Sequence, residues 1–240
     1  MTNRDVDITD GVGIITFNRW AQFSNWMHTN FSKYRNYVFR GQSIDSPLLP
    51  TLDRVSPDEA TRANHLRRFK MAVRGRRGTN PRKLSEDSWW ALGQHYGLKT
   101  PLRDWTESPF VAAFFGFSPE REPSGGEIVI FALSRRVAKT KDGIPDLNFV
   151  EPWINENARL TSQAGLFTKT KAGWEIENWI RTTYPGDGRY ARLIKIYIPY
   201  SERPSALRAL KWMNIHMASL FPDLEGAAGF ANTHLQIDGY

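Results

Sequence analysis

The chain has 240 residues, which fits one large domain or two small ones. With 40% hydrophobic and 13% aromatic residues it is neither disordered nor of low complexity. Without cysteine it can form no disulfide, no thiolate metal site and no cysteine nucleophile. The formal charge of +7 is concentrated, because nine Lys/Arg and no acid lie between Arg62 and Lys83 while the remainder is close to neutral. No basic end followed by an apolar stretch opens the sequence, and the longest apolar run, Pro109 to Phe117, falls well short of the ~20 residues that span a bilayer. These features give the expectation of a cytoplasmic protein with no membrane association.

Trp20, Phe23, Met27, Phe31 and Tyr34 recur every three to four residues, the apolar stripe of a helix. Tyr37-Val38-Phe39-Arg40-Gly41 then reads as a short strand with Arg40 at its end. The prolines of Ser46 to Pro50 predict a loop. Ser56-Pro57-Asp58-Glu59 reads as a capping box opening a basic helix to about Val73. Ser85 to Tyr96 is a further helix stopped by Gly97, with Gln94, His95 and Tyr96 in its last turn. After an extended piece from Thr100 to Asp104, Ser108-Pro109 starts an apolar helix that ends at Phe117. Ile128 to Leu133 and Ala191 to Ile198 are strands by their β-branched residues. Gly143 to Pro152 and Tyr184 to Gly188 read as long connections, and Ala172 to Thr182 looks helical. With no internal repeat and no dividing linker, the expectation is one α+β domain over residues 1–240, with helices around a central, mostly antiparallel sheet.

The densest polar segment runs from Gly93 to Thr106 and places amide, imidazole, phenol, guanidinium, carboxylate and hydroxyl groups within fourteen residues. It ends at a helix N-terminus, where free N–H groups and the helix dipole favour an anion such as phosphate. Two readings stay open at this stage. Asp104, Thr106 and His95 either form a satisfied polar scaffold or face a ligand, and Arg40 either makes a structural ion pair or holds a phosphate while Gly41 lets the ligand approach. The segment Arg62 to Lys83 is either a solvated face or a surface for nucleic acid. The five histidines show no metal-ligand spacing, so no metal is expected. P-loop, nucleophile-elbow and Rossmann signatures are missing from the sequence.

Tyr37-Val38-Phe39-Arg40-Gly41-Gln42 carries a Phe-Arg-Gly signature that resembles the FRG domain family. Leu49 to Arg54, Gln94-His95-Tyr96-Gly97 through Trp105-Thr106, Arg159 to Phe167 and Phe221 to Gly226 look like further blocks of that family, so the resemblance covers about residues 15–235. Arg103 stands where a second Leu is common, implying a changed pocket rim. The order of blocks is also similar to the Arg-Ser-Glu class of ADP-ribosyltransferases. That likeness implies NAD as substrate, a toxin or phage-defence setting and a related fold. It implies catalytic roles for Arg40, His95, Asp104, Thr106 and Glu225, with Thr106 fixing Arg40 or a ribose and Glu225, in a Gly-rich turn, stabilising an oxocarbenium ion. Gly41, Gln42, Gln94, Tyr96, Arg159 and Gln163 would join Arg40 in holding the nucleotide. The rival expectations are a nucleic-acid-binding module or nuclease using residues 62–83, and a non-enzymatic nucleotide sensor or partner-binding domain.

Overall fold

A computed structural model describes residues 6–78, 83–138, 147–152 and 158–240. The first helix, α1 (Trp20–Tyr34), follows two short strands, β1 (Asp7–Thr9) and β2 (Val12–Thr16), that the residue pattern does not single out. It leads into β3 (Tyr37–Gln42), which runs two residues past Arg40. The basic helix α2 (Glu59–Ala72) begins two residues later than the expected box. Asp58, whose Oδ1 accepts from the Thr61 N–H at 2.7 Å, is the N-cap, and the Ser56 hydroxyl is spent on the Asp58 carboxylate at 2.7 Å. Residues 79–82 of the basic segment lie outside the described residues.

Ser85 caps α3 (Glu86–His95), and Gly97 takes the left-handed stop at φ +83°. Next come β4 (Leu102–Thr106) and α4 (Pro109–Phe117), the latter capped by Ser108 and buried almost all round. They are followed by β5 (Glu127–Ser134), β6 (Leu147–Val150), α5 (Ala158–Ser162), β7 (Gly165–Thr170), α6 (Ile176–Thr183) and β8 (Leu193–Pro199). Three helices finish the described chain: α7 (Arg203–Trp212), α8 (Met217–Leu220) and α9 (Leu224–Gln236). The expected connection from Gly143 to Pro152 thus contains β6, while its residues 143–146 lie outside the described residues. The expected Gly-rich turn around Glu225 is the first turn of α9, capped by Asp223.

The architecture is α+β: one eight-stranded sheet in the order β1-β2-β8-β5-β3-β4-β7-β6, antiparallel throughout except between β2 and β8. Helices cover both faces of its centre. In β5, Ile128, Ile130 and Ala132 join the core under α1, α4 and α7, whereas Val129, Phe131 and Leu133 join the opposite core with Trp179 and Ile180 of α6. A strand buried on both sides reads as an unbroken apolar run, which is why β5 is legible in the sequence. A third cluster, Leu66, Trp90, Leu102 and Phe167, packs α2 and α3 on the β4–β7 end. Among the described residues no helix is long and apolar enough to cross a membrane.

Candidate functional site

The site starts with an interruption in the sheet. β3 and β4 share a single registered pair, Phe39 with Thr106, whereas β3 stays paired with β5 as far as Gln42. Beyond that pair the two strands part, and Arg40 reaches across the gap. Its Nη1 donates to the Asp104 carbonyl at 3.0 Å and lies 3.6 Å from the Asp104 carboxylate. The carboxylate is 61% exposed, so this is an open, solvent-facing ion pair and not a buried one. Its other oxygen accepts from Gln94 Nε2 at 2.6 Å, and the Gln94 carbonyl accepts from the Thr100 hydroxyl.

The residues around the gap line a cavity of about 560 Å³, in the range of small-molecule sites. Arg40, Gln42 and Arg54 form one part of its wall, Gln94, His95 and Asp104 another, and Phe115, Arg159 and Phe221 a third. Of the three guanidiniums on the wall, Arg159 is paired with Asp223 and Glu225, which leaves Arg40 and Arg54 beside the carboxylate of Asp104. His95, at the last position of α3, stands edge-on to Tyr96, and its ring makes no hydrogen bond among the described residues. Phe115 and Phe221 meet edge-to-face with centroids 6.0 Å apart.

Arg103 lies behind this wall, where the sequence pattern suggests the rim. It is buried and has no carboxylate partner among the described residues. Instead Nη1 donates to Leu49 O at 2.9 Å, while Nη2 donates to Gln42 Oε1 at 2.7 Å and Pro47 O at 3.2 Å. Its Nε is buried without a partner. Gln42 Oε1 also accepts from Arg40 Nε at 3.3 Å, so one amide oxygen bridges two guanidiniums. Burial, with Arg40 and Arg54 adding to it, pulls the Arg103 pKa down to about 9. Burial also lowers the Arg40 pKa, with Asp104 opposing the shift and Arg54 reinforcing it. Clustered, partly desolvated cations of this kind are relieved when an anion neutralises them.

Several expected roles change. Gly41 lines the cavity, and a Cβ there would lie 1.8 Å from Ala112 O and 2.8 Å from Gly116 N, so the glycine lets α4 approach β3. The Thr106 hydroxyl donates to Gln163 O at 2.7 Å and accepts from the Ser108 N–H at 3.1 Å. It ties the end of β4 to the chain after α5 and does not touch Arg40. Gln163 lines the cavity but donates its amide to Leu220 O at 3.1 Å. Tyr96 is largely exposed and off the wall. Glu225 is off it too, its carboxylate taken by Arg159 Nη2 at 2.7 Å, while Arg159 also binds Asp223 at 2.6 Å and lies over Phe221. Glu175 caps α6 and accepts from the Leu48 N–H. Glu177 pairs with Arg181 and Lys195, and neither acid lines the cavity. Arg62, the first cation of the basic segment, is buried in a two-bond pair with Asp53 at 2.6 and 3.1 Å.

Residue reasoning missed Arg54, Phe115 and Phe221 as wall residues and Arg103 as their support. Arg54 and Phe221 sit inside the family-like blocks, and Arg103 stands with Asp104 between buried Leu102 and Trp105, a signal available in the sequence. Residues 35–124 match the family model described as the FRG domain. An FRG domain is present over these 90 of the 240 residues. No curated protein and no solved structure matches it. The matched FRG stretch runs from the start of β3 past α4 and supplies Arg40, Gln42, Arg54, Gln94, His95, Asp104 and Phe115. The blocks at Arg159 to Phe167 and Phe221 to Gly226 lie outside the match, although they complete the cavity wall beside the FRG domain.

Proposed function

We propose that the cavity binds a nucleotide and cleaves NAD at its nicotinamide ribose, as an ADP-ribosyltransferase or NAD glycohydrolase. The observation that carries the reading is the wall itself: Arg40 and Arg54, with Arg159 held by Asp223 and Glu225, around an aromatic pair and the Asp104 carboxylate. Guanidiniums suit the two phosphates of a dinucleotide, and the Phe115–Phe221 pair offers a face for a flat ring. In the reaction the ribose C1′–N bond breaks and its electron pair leaves with nicotinamide. Asp104, oriented by Gln94, would then stabilise the oxocarbenium ion in place of Glu225. His95 would take the proton of the attacking water or acceptor hydroxyl. The setting of a toxin or phage-defence protein belongs to the same proposal and rests on the family resemblance.

The test is thermal shift with NAD, ADP-ribose and inorganic phosphate, together with nicotinamide release. A ligand at 100 times its Kd adds about 2.7 kcal/mol, or roughly 5–11 °C in a chain of this size. Arg40→Ala should remove the shift and keep the fold, since Asp104 is solvated and retains Gln94. Asp104→Asn should keep binding and abolish release. Wild-type protein that neither shifts with any of these ligands nor releases nicotinamide overturns the proposal.

A further inference from the structure

The outer side of α2 holds a second, shallower depression of about 340 Å³, away from the strand gap. Arg67 and Lys70 line it one turn apart on α2, about 5 Å along the axis, and Arg74 lines it from the turn that follows the helix. Arg67 touches only the Met71 sulfur, at 3.7 Å, and the Arg74 side chain has no partner among the described residues. Arg68 and Arg76 are exposed beside them. The one acid on the wall, Glu86, is held by Lys169 at 3.0 Å, and that hydrogen bond is the main cause keeping its carboxyl below the usual range. Other cations of the segment have internal work: Arg62 is buried against Asp53, Arg77 lies over Trp89 at 5.0 Å, and Lys70, half-buried, holds its Nζ 5.8 Å from the same ring. The structure thus divides the basic segment into residues that build the fold and a row that faces solvent.

We infer that this row is a binding groove for the phosphodiester backbone of a nucleic acid strand. Arg67 and Arg74, with Lys70 between them and the neighbouring acid neutralised by Lys169, make an electrostatic track whose two ends have no carboxylate partner among the described residues. A lipid surface fits less well, because the apolar side of α2 is spent on the protein. Leu66 is in the core, and Phe69 packs edge-to-face on Trp89 at 6.2 Å. From Glu86 beside the groove α3 runs to His95 in the cavity, so a seated strand lies about 15 Å from that cavity.

The experiment is fluorescence anisotropy with a labelled single-stranded oligonucleotide of about 20 nucleotides, and with its duplex, at increasing salt. It needs neither NAD nor turnover, so its outcome is separate from that of the cavity. Three phosphate contacts to a single strand give a log–log salt slope near −2, an affinity loss of about 20-fold between about 50 and 200 mM salt. The R67E/K70E/R74E variant should abolish binding and R67Q/K70Q/R74Q should flatten the slope by about 2, while R67E/R74E, which changes only the two exposed side chains and keeps Lys70 over Trp89, should weaken binding with a wild-type melting curve. Absence of binding, binding that ignores salt or the glutamine variant, or equal binding to phosphatidylserine vesicles or an acidic peptide overturns the inference.

Discussion

Gly41→Ala is the sharpest test of how the FRG tripeptide works. The added methyl would sit 1.8 Å from the Ala112 carbonyl oxygen, 2.7 Å from its carbon and 2.8 Å from the Gly116 nitrogen. All three are backbone atoms of α4, so no rotamer change relieves the clash. Restoring ordinary contact needs α4 to retreat by more than about 1 Å from β3, against a core that includes Phe114, Phe117 and Phe39. Overpacking of this kind costs typically about 1–3 kcal/mol, and a rigid backbone partner puts this case at the upper end or beyond. For a chain of this length about 3 kcal/mol lowers Tm by roughly 6–12 °C. Gly97→Ala is the control: φ is +83° with nothing within 4 Å of the new carbon, so only conformational strain of about 1 kcal/mol is expected. Urea and thermal denaturation of both variants compare the two costs. If Gly41→Ala is as stable as wild type within about 0.5 kcal/mol, the glycine is not there for helix packing and the reasoning fails.

Asp53→Asn should cost up to about 3–5 kcal/mol by taking from the buried Arg62 guanidinium its buried carboxylate and leaving it the exposed Glu59 at 3.2 Å, whereas Asp104→Asn should cost less than about 1 kcal/mol; equal losses in urea melts would contradict the burial difference. Arg103→Lys keeps a charge but not the fork that reaches Leu49, Pro47 and Gln42, so about 1–3 kcal/mol of stability and part of the nucleotide affinity should go together, and an unchanged melt with unchanged binding argues against the supporting role. His216 caps α8 by accepting the Ser219 N–H on Nδ1, and burial followed by Lys211 holds its pKa below 6.5. The neutral ring is the folded form, so its stabilisation is complete above about pH 6.5 and lost as pH falls through the lowered value. His216→Asn, which can still cap, should remove that part of the pH dependence, and identical pH profiles for variant and wild type would refute it.

How much of this was legible depended on whether partners are near in sequence. The stripe from Trp20 to Tyr34 and the cap-plus-proline at Ser108-Pro109 gave α1 and α4 their starts because both signals are local. Arg40, Gln42, Gln94, His95 and Asp104 do converge on one cavity, as the family-like blocks suggest. The start of α2 was misplaced because Ser56 and Asp58 are both competent caps, and only geometry shows the serine hydroxyl bonded to the aspartate. The four residues of β6 sit among prolines and glycines and gain strand character only by pairing with β7. The roles of Gly41, Thr106 and Glu225 were set by Ala112, Gln163 and Arg159, partners more than 50 positions away, which no local spacing encodes.

The lone Phe39–Thr106 pair has a mechanical consequence. A sheet sewn at one stitch is held together there by other means: the Arg40, Gln42 and Arg103 side chains at the gap, and a core in which Trp105, Leu166 and Leu147 pack with Val38 and Phe131. Any anion gripping guanidiniums from both edges would act as a clasp. Slowed amide exchange on β3 and β4 together, and not on β8, is the signature of such clasping.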